Sequence, residues 1–149
     1  MKNMKRFLTL FLLLVVGITI FIYQHQTNTN ADSVKEKIGQ SEKFTNGDIN
    51  TAFDTIKKEF KKDKGIKLTE LQYSEKESNA MIESDLHSGL GGWITDVGEE
   101  NVIVVFSTFK TGSSVDSGWE PNKIMDGYSW TLIRDSKNGK WRVKNKGYA

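Results

Sequence analysis

The side chains best able to do chemistry in this sequence are His87, Arg134 and the four tryptophans, Trp93, Trp119, Trp130 and Trp141. Glu83 lies four residues before His87, so on a helix the two share a face, and a carboxylate beside an imidazole can act as a general acid or base. A metal centre needs more ligands than this, and none stands at a recognisable spacing. The ordinary outcome for such a pair is a solvated surface. Arg134 follows Leu132 at strand spacing and points to the same side of a sheet. There it meets either an anionic ligand or a structural acid. Trp130, Leu132, Trp141 and Val143 alternate along two adjacent segments; they line a ligand cradle or pack as core against a helix. Trp93 and Trp119 stand in Gly-rich stretches, where an indole caps an open sheet mouth or contacts a partner. The run Lys57, Lys58, Lys61, Lys62 and Lys64 suits anionic polymer or lipid headgroups. Glu59 and Asp63 interrupt it, as they would on a solvated helix face. Signatures of a serine nucleophile elbow, a phosphate-binding loop, a helical zinc site and an EF-hand are absent. No catalytic residue, metal ligand or cofactor is therefore expected, and the binding candidates are Trp93, Trp119, Trp130, Arg134 and Trp141.

The elements that would position these residues follow an uncharged run from Phe7 to Tyr23, preceded by Lys2, Lys5 and Arg6. Basic residues before an apolar segment hold the N-terminus inside while the rest crosses the membrane. As a helix, seventeen residues span about 26 Å, long for a signal peptide and short for a transmembrane helix. Residues 1–23 are thus a signal peptide or a single-pass membrane anchor. Thr29-Asn30-Ala31 offers small residues for cleavage after Ala31, and in an uncleaved chain residues 7–23 would sit in the cytoplasmic membrane. Either way the rest is extracytoplasmic, secreted or anchored. The chain has no cysteine, so no disulfide framework supports it, and its core must do so alone. Cysteine-free exported proteins are common in Gram-positive bacteria. Of 21 basic side chains three precede residue 32 and no acid does, leaving 18 against 19 acids beyond it. That balance gives no strong field for nucleic acid, so no such partner is expected.

Residues 24–43 are polar and read as a linker or tail; Val34 and Ile38, four apart, fit one face of a short helix ended by Gly39. A domain over 44–149 follows. Thr45 is an N-cap with Asp48 three residues on, and Phe44 and Ile49 have the spacing of a hydrophobic staple. Ile49, Ala52, Phe53, Ile56 and Phe60 form one helical stripe, with lysines near its C-terminus and Gly65 closing it. A strand over 66–73, a short helix over 76–87 and a mobile Gly-rich loop before Trp93 come next. Asn101–Phe109 is β-branched and, over its first half, apolar on both faces, the mark of a central strand. A long loop over 110–127 leads to strands 128–134 and 141–145, joined by a hairpin turn at Asn138-Gly139. The expected fold class is α+β, an N-terminal export or anchor helix and then a long helix packed on a curved antiparallel sheet.

Phe44-Thr45, Asp48-Ile49, Ala52 and Phe60; Leu68-Thr69-Glu70-Leu71 with Tyr73; Val102, Val104 and Phe109; Trp130-Thr-Leu132-Ile-Arg134; Lys140-Trp141-Arg142-Val143 and Gly147-Tyr148 form one pattern across residues 44–148. It resembles a family of uncharacterised exported domains of Firmicutes, of the cystatin-like or nuclear-transport-factor-like type. The resemblance implies a cone-like sheet cradling a helix, and it implies no activity, since such folds host enzymes and binders alike. We therefore expect a non-catalytic binding or accessory module at a Gram-positive cell surface. Through the sheet, or loops 88–96 and 111–127, it would hold a cell-envelope protein or a small ligand. Three alternatives stand beside this. One is a small-molecule-processing enzyme with a pocket in the sheet cone, using Arg134, His87 or an acid. The others are an immunity- or inhibitor-type protein and an oligomerisation module.

Overall fold

A computed structural model of the chain describes residues 33–115 and 118–148. The apolar segment 7–23, the cleavage site at Ala31 and residues 24–32 of the expected linker lie outside them. Among the described residues no helix is long and apolar enough to cross a membrane.

From Val34 onward the chain is one compact α+β unit. Its strands are β1 (Lys35–Ile38), β2 (Ile66–Tyr73), β3 (Val102–Thr111), β4 (Ile124–Ile133) and β5 (Arg142–Gly147). Its helices are α1 (Asn46–Phe60), α2 (Glu75–His87) and α3 (Gly92–Val97), with a 3-10 turn at Glu99–Asn101. The strands form a single sheet in chain order, antiparallel except that β1 lies parallel to β2.

α1 starts where the sequence places it. The Thr45 hydroxyl accepts from the Asp48 amide at 3.1 Å, and the Asp48 carboxylate accepts from the Thr45 amide at 3.1 Å. This reciprocal capping box satisfies two of the amides a helix start leaves without partners. The stripe Ile49, Ala52, Phe53, Ile56 and Phe60 is buried on one sheet face, against Leu71, Ile103, Val105, Phe109, Trp130 and Leu132. Each large side chain fully buried there contributes about 1.5–3 kcal/mol. The helix ends at Phe60, earlier than expected. Gly65, at φ +79°, opens β2 rather than closing α1, and a Cβ there would stand 2.3 Å from the Ser114 carbonyl oxygen.

β3 is the central strand, as its two-faced apolar pattern requires. Ile103 and Val105 enter the α1-side core, whereas Val102 and Val104 join Ile82, Ile94 and Ile133 in a second core under α2 and α3. Helices therefore cover both faces, and the expected sheet wrapped on one helix becomes a three-layer arrangement. Ser78 of α2 is buried and donates nothing to its own helix cap; its hydroxyl accepts the Val104 amide at 3.0 Å. That amide lies beyond the end of the β2 pairing and would otherwise be an orphan, at a cost of about 1–3 kcal/mol.

Four further expectations are corrected. Residues 34–43 are part of the domain, not a linker or a short helix. A spacing of four suits a strand as well as a helix, so Val34 and Ile38 face the core while Lys35 and Lys37 face Glu70. The segment after β1 is pinned because the Glu75 carboxylate accepts the amides of Glu42 at 2.8 Å and Lys43 at 3.1 Å, and the Ser41 hydroxyl. The sheet is mixed, because β1 joins it in parallel. Trp93 itself does not stand in a loop: Gly92–Val97 is α3, drawn in by Ile94, which is fully buried, and the turn at residues 89–91 joins it to α2. Finally, β3 and β4 reach into the expected loop, to Thr111 and back to Ile124.

Candidate functional site

The five binding candidates do not converge. Trp130 is buried between Phe60 and Tyr128, at ring separations of 5.0 and 5.6 Å, and its indole donates to the Ser107 hydroxyl at 2.9 Å. It is core, not cradle. Trp119 packs edge-on against Phe109, Tyr128 and Tyr148 at 5.3–6.3 Å, a loop anchor at the end of the sheet. Trp93 lies on α3 with the Lys144 ammonium 5.5 Å from its ring.

Arg134 and Trp141 do meet. The Arg134 guanidinium, 4% exposed, donates to Asp48 Oδ1 at 2.5 Å across 86 residues of sequence. It stacks 4.5 Å from the Trp141 ring and 5.5 Å from Phe44. The Trp141 indole donates to the Asp48 carbonyl at 3.0 Å. Here β4, β5 and the start of α1 are clamped together, so the acidic partner of Arg134 is internal. Arg134 Nε is buried with no hydrogen-bond partner, a cost the ring stacking and ion pair must offset. Burial pushes the Asp48 carboxyl up, but hydrogen bonds from Thr45 and Arg134, together with the Arg134 charge, outweigh it and hold the group below the usual carboxylate range. Hydrogen bonds from Ser41 and the Lys43 amide do the same for Glu75.

A pH dependence follows. A carboxyl depressed in the folded state stabilises the fold above its unfolded value, and that gain is lost as pH falls through the folded value. The urea midpoint should therefore stay level from neutral pH to about 5 and fall below about 4, near the unfolded carboxylate value. In Asp48→Asn the fall should be shallower.

His87 ends α2 on the surface, and its Nδ1 lies 2.8 Å from the Glu83 carbonyl oxygen, not the Glu83 carboxylate. The expected solvated pair is not even paired. Among the described residues no group of three His, Asp or Glu is placed to hold a metal ion.

The recess that sequence reasoning missed lies on the sheet face that α2 covers only in part. It is a groove of about 530 Å³. Phe106, Ala80 and Met81 supply apolar surface, and Glu70, Glu77 and Asp126 supply carboxylates. Two adjacent bulges shape it. Thr69 is the extra residue of β2 against β3, and Asp126-Gly127 adds a residue to β4 opposite Thr108. Gly127 has φ +71°, the left-handed geometry of a glycine bulge, with open space where a side chain would be. The bulge turns Asp126 toward Thr108, whose hydroxyl donates to Asp126 Oδ1 at 2.6 Å, and the Gly127 amide donates to the same oxygen at 3.0 Å. Glu70 is held by Lys37 at 2.6 Å and more loosely by Lys35 at 3.8 Å. A glycine inside a strand pattern was the available signal, but Asp126-Gly127 reads equally well as the end of a loop. Ser107, on the groove's border, donates to the Tyr128 carbonyl and accepts the Trp130 indole, so its hydroxyl is committed. The groove thus joins an apolar floor to acceptors, an arrangement for holding a cation that carries an apolar body.

Compared with known proteins, the chain matched no family model, no curated protein and no solved structure.

Proposed function

We propose that this chain is a non-catalytic binding module working outside the cytoplasm of a Gram-positive bacterium. Its domain is of the cystatin-like or nuclear-transport-factor-like type, and residues 7–23 carry it across or hold it in the membrane. The observation that carries the reading is how the two faces of the sheet are filled. Phe44, Phe53, Phe60, Phe109, Trp130 and Trp141 occupy the α1 side, so side chains fill the space between helix and sheet where a cone-like fold would hold a ligand. The open half of the other face then serves as the binding surface. Its partner is a segment with apolar side chains and basic groups, from a cell-envelope protein.

Titrating the isotope-labelled protein with an alternating Lys/Leu peptide tests this. Amide shifts should cluster at Met81, Phe106 and Gly127. A Glu/Leu peptide of equal length should leave them unmoved. Asp126→Asn combined with Glu77→Gln should weaken the Lys/Leu peptide about fivefold, the effect of two solvent-exposed charge contacts. Shifts spread over the whole surface, or equal binding of both peptides, would count against the reading.

A further inference from the structure

Strand direction fixes the end of the domain from which the preceding chain arrives. β1 runs parallel to β2, with Lys35 opposite Glu70 and Ile38 opposite Tyr73. The chain therefore enters from the end where β2 begins, β3 finishes and β4 starts. α1 finishes there too, since Phe60 packs 5.4 Å from Phe109 and Asp63 reaches Lys146 of β5 at 3.8 Å.

That end is basic. Residues 57–67 carry six lysines against two acids, Lys110 stands opposite Lys67 across the β2–β3 pair, and the return to β4 adds Lys123 with Glu120 and Asp126, so lysines remain in excess. Lys57 and Lys62 are tied to Glu36 at 2.5 Å and Glu59 at 2.6 Å. Lys61, Lys64 and Lys110 are exposed and form no ion pair among the described residues. Residues 74–101, which build α2, α3 and the turn into β3, carry seven acids and one lysine. Charge is thus divided between the end that receives the chain and the helical layer toward the opposite end.

We infer that the lysine-bearing end is a membrane-facing surface that settles on anionic lipid headgroups. The inference rests on residues 7–23 staying in the membrane as an anchor. Residues 24–33 then span at most about 35 Å, which keeps this end within reach of the bilayer. Lysines near an anionic surface are drawn to it, and the effect dies within about 10 Å at ordinary salt. The acidic helical layer is repelled and turns outward. The groove lies on the sheet face beside α2, its Thr108 and Asp126-Gly127 side nearest the lysine-bearing end.

The chain has no cysteine, so single labels are available. Full-length protein labelled at Ser113→Cys, on the basic end, or at Ser84→Cys, on α2, is placed in nanodiscs with or without phosphatidylglycerol. Energy transfer to a headgroup dye is then measured. At Ser113 transfer should rise roughly threefold on anionic discs, a modest share of what three lysines near such a surface supply. At Ser84, on the layer that turns outward, transfer should not rise. The rise should vanish in 1 M salt and in the triple variant Lys61→Glu, Lys64→Glu, Lys110→Glu. Equal transfer on both lipids, or a rise at Ser84 instead, overturns the surface alone. A full-length chain that does not incorporate into discs overturns the anchor reading and this inference with it.

Discussion

Trp130→Ala should lower the unfolding free energy by about 3–5 kcal/mol, the usual cost of emptying a buried aromatic site. The indole is 1% exposed, touches Phe60 and Tyr128, and donates to Ser107. Its loss removes the packing and leaves the Ser107 oxygen without its donor. Trp130→Phe keeps most of the packing and should cost about 1–2 kcal/mol. Equilibrium urea unfolding of the three proteins decides the point. A Trp130→Ala protein of unchanged stability would mean that the tryptophan lines an open cradle, the other role its strand position allowed.

The second large effect is expected at Arg134. Arg134→Ala should cost about 2–4 kcal/mol. It strips Asp48 of its buried partner and removes the plate stacked between Trp141 and Phe44. Asp48 keeps about a fifth of its side-chain exposure, so water recovers part of the loss and the cost stays below that of a fully buried pair. Arg134→Met restores volume against the two rings without the charge, and should cost about half as much. The difference between the two variants separates packing from ion pairing, and thermal midpoints should follow the same order. If Arg134 instead served an external anion, both variants would retain wild-type stability.

Much of the α1 side of this fold was legible in the sequence, because each of its signals is local. Thr45 and Asp48 cap within one helical turn, and Ile49, Phe53, Ile56 and Phe60 repeat at helical period. Val102 to Val105 are apolar at every position, which only a strand covered on both faces tolerates. What escaped reading depends on distant partners. β1 has two apolar residues at a spacing that helix and strand share, and only its pairing with β2 decides between them. α3 has six residues, too few to show a period, and exists because Ile94 finds the core over Val102 and Ile133. The partner of Arg134 is 86 positions away. The groove depends on two bulges, and a bulge is a register relation between strands that neither strand declares alone.

On the proposed function, the open half of the sheet, beside α2, is where this protein meets its partner. A benzophenone maleimide attached at Ala80→Cys, on the groove's border, tests that claim directly. The same label at Thr55→Cys, on the exposed side of α1, is the control. Irradiation with a Gram-positive cell-envelope fraction should give one discrete adduct from position 80, and an excess of the Lys/Leu peptide should suppress it. Position 55 should give none. An adduct from position 55 alone, or labelling at both positions that the peptide leaves untouched, would contradict the account.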